Sequence, residues 1–213
     1  MFIHWGPSSL TGEEISFARG GDRRGLAPRM KPGSVPVEVY DNLYKEFNPV
    51  KFDADEWAVI AKTAGMNYMV LTVKHHDGFS LYDTKYSDYN IMNSPFGRDV
   101  TKELAEACRR KGIVFCVYYS PIDFYHPDCL TENHERYMEF MNNQIRELCS
   151  NYGRIGLIWW DMAFGWDKNQ SLQTFNLVKN LQPNIIMNDR LSFPGDYKTP
   201  EQSIGTFDNK RPW

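Results

Sequence analysis

Long hydrophobic runs are missing from this chain of 213 residues: no stretch approaches the about eighteen consecutive apolar residues that a membrane-spanning helix needs. An excess of one charge sign is missing too. Lys and Arg number 24 against 27 Asp and Glu, mixed along the chain for a formal net charge of −3, which excludes the electrostatic footprint of a nucleic-acid partner or an anionic membrane surface. Cysteine is sparse. Cys108, Cys116, Cys129 and Cys149 have no C-x2-C spacing, and a chain of this size does not need disulfides to fold, so they are expected as buried free thiols. There is no repeat of solenoid period, no low-complexity tract and no Gly/Ser-rich linker. No charged leader with an apolar core precedes Met1-Phe2-Ile3, and the chain opens directly on a strand-like segment, so any leader would lie upstream.

What is present is aromatic and periodic. Aromatic residues make up 15% of the chain, in clusters such as Tyr118-Tyr119, Phe124-Tyr125 and Trp159-Trp160; these supply a dense core or stacking surfaces for a ring-shaped ligand. Helical segments alternate with short apolar ones, the pattern of βα units around a parallel sheet. Asp53 or Asp55 is placed to cap a helix over about 56–64 that Gly65 ends, and Asp99 opens a second that Gly112 stops. Longer helical periodicity runs over 132–152 and over 171–181. Strands are predicted at 2–5, 67–73, 113–119, 155–160 and 184–188, and 11–37 reads as one long loop after the first. The fold class is α/β, a (β/α)8 TIM-like barrel that is incomplete, with about its first five βα units in one domain over 1–213.

Each predicted strand ends in polar or aromatic chemistry. The ends are His4-Trp5-Gly6, His75-His76-Asp77, Tyr118-Tyr119-Ser120, Trp159-Trp160-Asp161 and Asn188-Asp189-Arg190. Function in such sheets gathers at the C-terminal strand ends, where a rigid scaffold meets loops that vary freely, so five such ends in register point to one site at one mouth. The segment Lys74-His75-His76-Asp77-Gly78-Phe79 is the densest of them. It admits a metal-site reading. Against it, adjacent strand residues point to opposite faces and no His-x-His pair occurs, so neither metal nor cofactor is expected.

Together with Arg98-Asp99 and Val117-Tyr118-Tyr119-Ser120, the motifs Phe2-Ile3-His4-Trp5-Gly6, Lys74 to Phe79, Trp159-Trp160-Asp161 and Asn188-Asp189-Arg190 resemble the catalytic domain of the retaining α-L-fucosidases, glycoside hydrolase family 29. The resemblance spans nearly the whole chain. It implies hydrolysis of terminal α-L-fucosides on a fucosylated glycan, a secreted, periplasmic or lysosomal setting, an internal Met1, and further barrel strands and a C-terminal β-domain beyond this sequence.

Retaining hydrolysis needs a carboxylate nucleophile and a carboxyl acid/base about 5–5.5 Å apart. Asp161 resembles the family's nucleophile; its alternative is a helix N-cap after the strand. Glu201, in Lys198-Thr199-Pro200-Glu201, resembles an acid/base glutamate. Glu14, in the loop after the first strand, is a further acid/base candidate and matches a family glutamate near the substrate. His4, His75, His76, Tyr118, Trp159 and Arg190 match residues that bind sugar hydroxyls, pack on the sugar or support the nucleophile. Neutral imidazoles both donate and accept, Tyr118 and Trp159 are flat, and an arginine can lower the pKa of a neighbouring carboxylate. Glu14-Ile15-Ser16 stands where the family has Glu-Trp-Tyr, and 17–36 resembles an insertion. Two alternatives accompany this reading: a sugar-binding chain without turnover, and a glycosidase for a fucose-like sugar.

Overall fold

Five strands lie parallel in one sheet in the order of the chain: β1 (Phe2–Ile3), β2 (Tyr68–Lys74), β3 (Val114–Tyr119), β4 (Leu157–Trp160) and β5 (Ile186–Met187). The computed structural model describes residues 1–21, 31–163 and 165–200. Sequential order with a helix between neighbours is the winding of a βα barrel, whose crossovers return each strand beside the last. The α/β reading therefore holds, with five strands among the described residues.

The helices start and stop where the sequence places local signals. A four-residue helix, α1 (Val37–Tyr40), begins where the long stretch read as a loop ends, and the Arg19–Val35 bridge shows that the two described parts of that stretch lie side by side. In α2 (Ala54–Thr63), Asp53 rather than Asp55 is the N-cap, its carboxylate accepting from the Glu56 N–H; Ala54, Ala58 and Ala61 are the buried face. Asp99 caps α3 (Val100–Lys111) through the Lys102 N–H, and Gly112 ends it at φ 66°, a left-handed turn that glycine adopts without steric cost. Buried Tyr137, Met141, Ile145 and Leu148 line one face of α4 (His134–Asn151). Asp167 and Gln170 form a reciprocal capping box on α5 (Lys168–Leu181).

Alternation along the strands divides the interior in two. Met69, Leu71, Val73, Phe115, Val117, Tyr119, Ile158 and Trp160 belong to the main core, with Ala58, Leu104, Tyr137 and Ile145 from the helices. Val70, Cys116, Tyr118 and Leu157 form a separate cluster with Trp159 and Tyr197, on the inner face of the sheet. All four cysteines are buried and free. Observed strands are shorter than the predicted ones at β1, β4 and β5, because sequence patterning marks apolar runs whereas a strand ends with its ladder.

One irregularity matters for function. Between Thr72 and Lys74 the register of β2 on β3 shifts, so that Thr72 pairs with Tyr118 but Lys74 with Tyr119. A bulge of this kind re-aims every side chain after it. Lys74 consequently turns to the outer side, 0% exposed, with its Nζ 3.1 Å from Asp123 Oδ2.

Candidate active site

Asp161 follows β4 directly and is gripped from both sides. Its Oδ2 accepts from the Tyr118 hydroxyl on β3 at 2.7 Å, and its Oδ1 accepts from Arg190 Nη1, beyond β5, at 2.7 Å. Two charge-assisted bonds from different elements fix the direction of the carboxylate. Asn188 locks the flanking strand: its Oδ1 accepts from the Trp160 N–H and its Nδ2 donates to the Trp160 carbonyl, both at 2.9 Å. A side-chain amide thus stands in for a peptide and continues the β4–β5 ladder to the rim. Arg190 is braced in turn by Thr199, whose Oγ1 accepts from Nε at 2.9 Å.

Three imidazoles complete the wall. His4 Nδ1 bonds Thr72 Oγ1 at 2.7 Å, and its ring stands edge-on to His75 and Tyr118 with centroids 5.4 and 4.9 Å away. His75 stacks on Tyr118 at 5.2 Å with an interplanar angle of 8°. The rings of His75 and His76 are 4.2 Å apart, and His76 Nε2 lies 3.7 Å from Asp161 Oδ2. The expectation that neighbours 75 and 76 face opposite sides is therefore wrong. It assumed strand alternation, but β2 ends at Lys74 after the bulge and the chain is no longer extended where the two histidines sit. Among the described residues, no group of three or more His, Cys, Asp or Glu is arranged to hold a metal ion.

The structure thus brings together Asp161, Tyr118, Arg190, His4, His75 and His76. Trp159 is beside them on the inner face, its ring edge-on to Phe2 at 5.1 Å and tilted against Tyr197 at 5.9 Å. Glu14 is exposed on the loop after β1, where its charge and that of Asp161 act on His4. Glu201 lies outside the described residues. Lys74 and Asp77, read as part of a reactive cluster, are buried supports: Asp77 Oδ2 accepts from the Tyr40 hydroxyl at 2.7 Å.

Several contributors were given no role from the sequence. Ser16, at φ 62°, bonds His75 Nδ1 through its hydroxyl, and Ser120 does the same for His76 Nδ1. Phe17 lays its ring edge against both histidines, at 6.1 and 5.5 Å. Ser120 stood out only as part of a strand end and Ser16 only as a departure from the family's Glu-Trp-Tyr, neither with a partner attached.

Burial sets the protonation of the wall. Desolvation pushes His76 down to about 4 against the pull of Asp161, and lowers His75 well below its ordinary value, helped by the charges of His76, His4 and Lys74. Burial raises Asp77 to about 6, opposed by hydrogen bonds from Tyr40 and the Phe79 N–H. Tyr118 is driven well up by burial and by Asp161, so it stays a donor. Above about pH 4 His76 takes up a proton mainly on unfolding and His75, lowered as well, acts in the same direction, whereas Asp77, which stays protonated up to about 6 in the fold, loses one. Burial also lowers His4 and His134 and raises Asp99, which keeps the histidines in the majority. The unfolded state therefore takes up more protons, so stability rises with pH through this window and levels off above about 6.5. Urea denaturation at pH 4.5, 5.5 and 6.5 measures it; a flat or falling midpoint would contradict neutral buried imidazoles.

An oriented, reachable carboxylate ringed by uncharged imidazoles and flat aromatic faces is suited to a polyhydroxylated ring that must be held by its hydroxyls while one carbon is attacked. Comparisons with known proteins converge on one family. The family model described as Alpha-L-fucosidase matches residues 1–213. Alpha-L-fucosidase 1 of Arabidopsis thaliana is 33% identical over 195 residues, 88% of this chain and 34% of the plant protein, and plasma alpha-L-fucosidase of Homo sapiens is 29% identical over 89% of this chain and 44% of the human protein. The chain therefore spans between about a third and less than half of these relatives. Among solved structures, alpha-L-fucosidase isoenzyme 1 from Paenibacillus thiaminolyticus superposes with a TM-score of 0.79 at 35% identity, over 96% of this chain and 53% of that one. The alpha-L-fucosidase AlfC from Lactobacillus casei in complex with alpha-L-fucose product superposes with 0.73 at 34% identity, over 89% and 66%. With a family match along its whole length and a strand-end site to go with it, this chain belongs to the alpha-L-fucosidase family.

Proposed function

We propose that this chain carries the catalytic centre of a retaining exo-α-L-fucosidase acting on fucosylated glycans, with Asp161 as nucleophile and Glu201 as acid/base. The observation that carries the reading is the pose of Asp161: a carboxylate at a strand end, aimed by Tyr118 and Arg190, while the neighbouring His76 Nε2 makes no bond among the described residues. In the first step Asp161 forms a bond to the anomeric carbon as the bond to the leaving oxygen breaks, and Glu201 gives that oxygen its proton. In the second, water attacks the same carbon, Glu201 takes the proton of the water, and the bond to Asp161 breaks. Two inversions return the original configuration. His4, His75, His76 and Glu14 hold hydroxyls, while Tyr118 and Trp159 flank the ring.

The test uses the full-length protein carrying this chain and a set of nitrophenyl glycosides. Cleavage of the α-L-fucoside, with the α-anomer of fucose as the first product by proton NMR, is expected. A β-anomer first, or better turnover of an α-galactoside, would refute the assignment. A second reading applies to the 213 residues alone, because Phe2, Tyr68, Val114 and Ile186 leave apolar surface exposed at the sheet: sugar binding without turnover, distinguished by fucose affinity in the absence of cleavage.

A further inference from the structure

We propose that two serines, Ser16 and Ser120, lock the adjacent histidines His75 and His76 in opposite tautomers, so that the site presents one imidazole donor and one imidazole acceptor to the sugar. The role assigned to the sugar rests on the fucosidase reading above; the tautomers themselves do not.

The proton of Ser120 has a single place to go. Its Oγ is 2.7 Å from the Ile122 carbonyl, which cannot donate, so the hydroxyl proton lies between them. The same Oγ accepts from the Ile122 N–H at 3.1 Å. His76 Nδ1, 2.6 Å from that oxygen, must therefore carry a proton and donate it. A neutral ring holds one proton, and burial keeps this ring neutral. Its Nε2 is consequently bare. It is buried, makes no hydrogen bond among the described residues, and stands 3.7 Å from Asp161 Oδ2, beyond bonding distance, as a lone pair beside a carboxylate should.

Ser16 has the opposite wiring. Its Oγ accepts from the Asp77 N–H at 2.9 Å and lies 2.5 Å from His75 Nδ1. No other acceptor for its proton appears among its described bonds. Were His75 Nδ1 protonated, the hydroxyl proton of a fully buried serine would be left unmatched, a disfavoured arrangement. Ser16 therefore donates to Nδ1, and the proton of His75 sits on Nε2. Ser16 is itself held in place, its N–H donating to the Tyr40 hydroxyl, which donates to Asp77. A left-handed backbone at a non-glycine residue is the conformational strain that delivers the hydroxyl to the ring.

The consequence is complementary polarity. With ring centroids 4.2 Å apart, His75 offers an N–H and His76 a lone pair, the two functions that a hydroxyl or a pair of neighbouring hydroxyls engages at once. Both serines act as positioning residues.

Nitrogen-15 NMR of histidine-labelled protein reads the tautomers directly, with resonances assigned by single His→Gln replacements. The expected spectrum has a protonated Nε2 on His75 and a protonated Nδ1 on His76. Ser16→Gly, which suits φ 62° and so preserves the backbone, should move the His75 nitrogens toward averaged values and leave His76 unchanged; Ser120→Ala should do the reverse. Ser16→Gly should also raise KM for an aryl fucoside about 5–10-fold, the loss of one ordered hydrogen bond, with kcat changed less than about 2-fold. The same tautomer on both rings, or His75 signals indifferent to Ser16→Gly, would overturn the proposal. Shifted signals with an unchanged KM would overturn its link to the sugar. The expected tautomers in a protein that cleaves no fucoside would sink the functional reading and leave the serine assignment standing.

Discussion

Asp161→Gly is expected to lower turnover of an aryl α-L-fucoside by at least about 10³-fold, the scale on which removing a covalent nucleophile acts. Sodium azide should then restore it. Glycine leaves a space of roughly carboxylate size on the face from which Asp161 would attack, and azide entering there forms a carbon–nitrogen bond as the aryloxide leaves. One inversion gives a β-fucosyl azide, which accumulates because no ester to the protein is left for water to attack. The helix N-cap alternative for Asp161 predicts something else: loss of stability, no chemical rescue and no azide product. The structure already disfavours it. The carboxylate of Asp161 bonds the side chains of Tyr118 and Arg190, and the next helix has its own cap in Asp167. Near-normal turnover of the variant, or rescue without a fucosyl azide, would remove Asp161 from the reaction.

The position of Asp161 at the end of a strand was legible in the sequence because its signals are local. An apolar run followed by Trp159-Trp160-Asp161 needs no knowledge of neighbours, and the same holds for the caps Asp53, Asp99 and Gly112, whose effects reach only three or four residues. What depended on neighbours was read less well. The bulge at Thr72/Lys74 has no signature of its own, and the partner that Lys74 meets beyond it, Asp123, lies 49 residues along the chain. Missing the bulge led directly to the wrong orientation for His75 and His76. The role of Ser16 was hidden for the same reason: the residue stood out only as a departure from the family's Glu-Trp-Tyr, and its contact with His75 spans 59 residues. Trp5, grouped with the functional strand ends, instead packs on Phe52 and Trp57, while the adjacent His4 alone turns inward. A cluster such as Lys74 to Phe79 thus mixes side chains for two compartments, and only the register separates those that face the site from those that hold it up.

Those supports should be costly to lose. Lys74→Met is expected to destabilise the protein by about 3–5 kcal/mol, because it strands the carboxylate of Asp123 in the interior. Asp123 is 2% exposed and Lys74 0%. The lysine Nζ also donates to the Ser120 carbonyl at 3.2 Å and lies 4.9 Å from the centre of the Tyr119 ring, while Asp123 Oδ1 accepts from the backbone of Tyr125 and His126. Gly78, at φ 85°, closes over this carboxylate, and a Cβ there would fall on the Asp123 oxygens. The pair therefore joins the bulge of β2 to the loop after β3. That loop carries the Ile122 carbonyl that takes the Ser120 proton, and its Phe124 N–H donates to the His76 carbonyl at 2.7 Å. Adding Asp123→Asn to Lys74→Met should recover part of the loss, since an amide oxygen still accepts from Tyr125 and His126 while the unpaired charge is gone. Urea denaturation of the full-length protein and both variants near neutral pH decides it. A single variant as stable as the parent, or a double variant less stable than the single one, would show that the buried charge of Asp123 is not what Lys74 is there to balance.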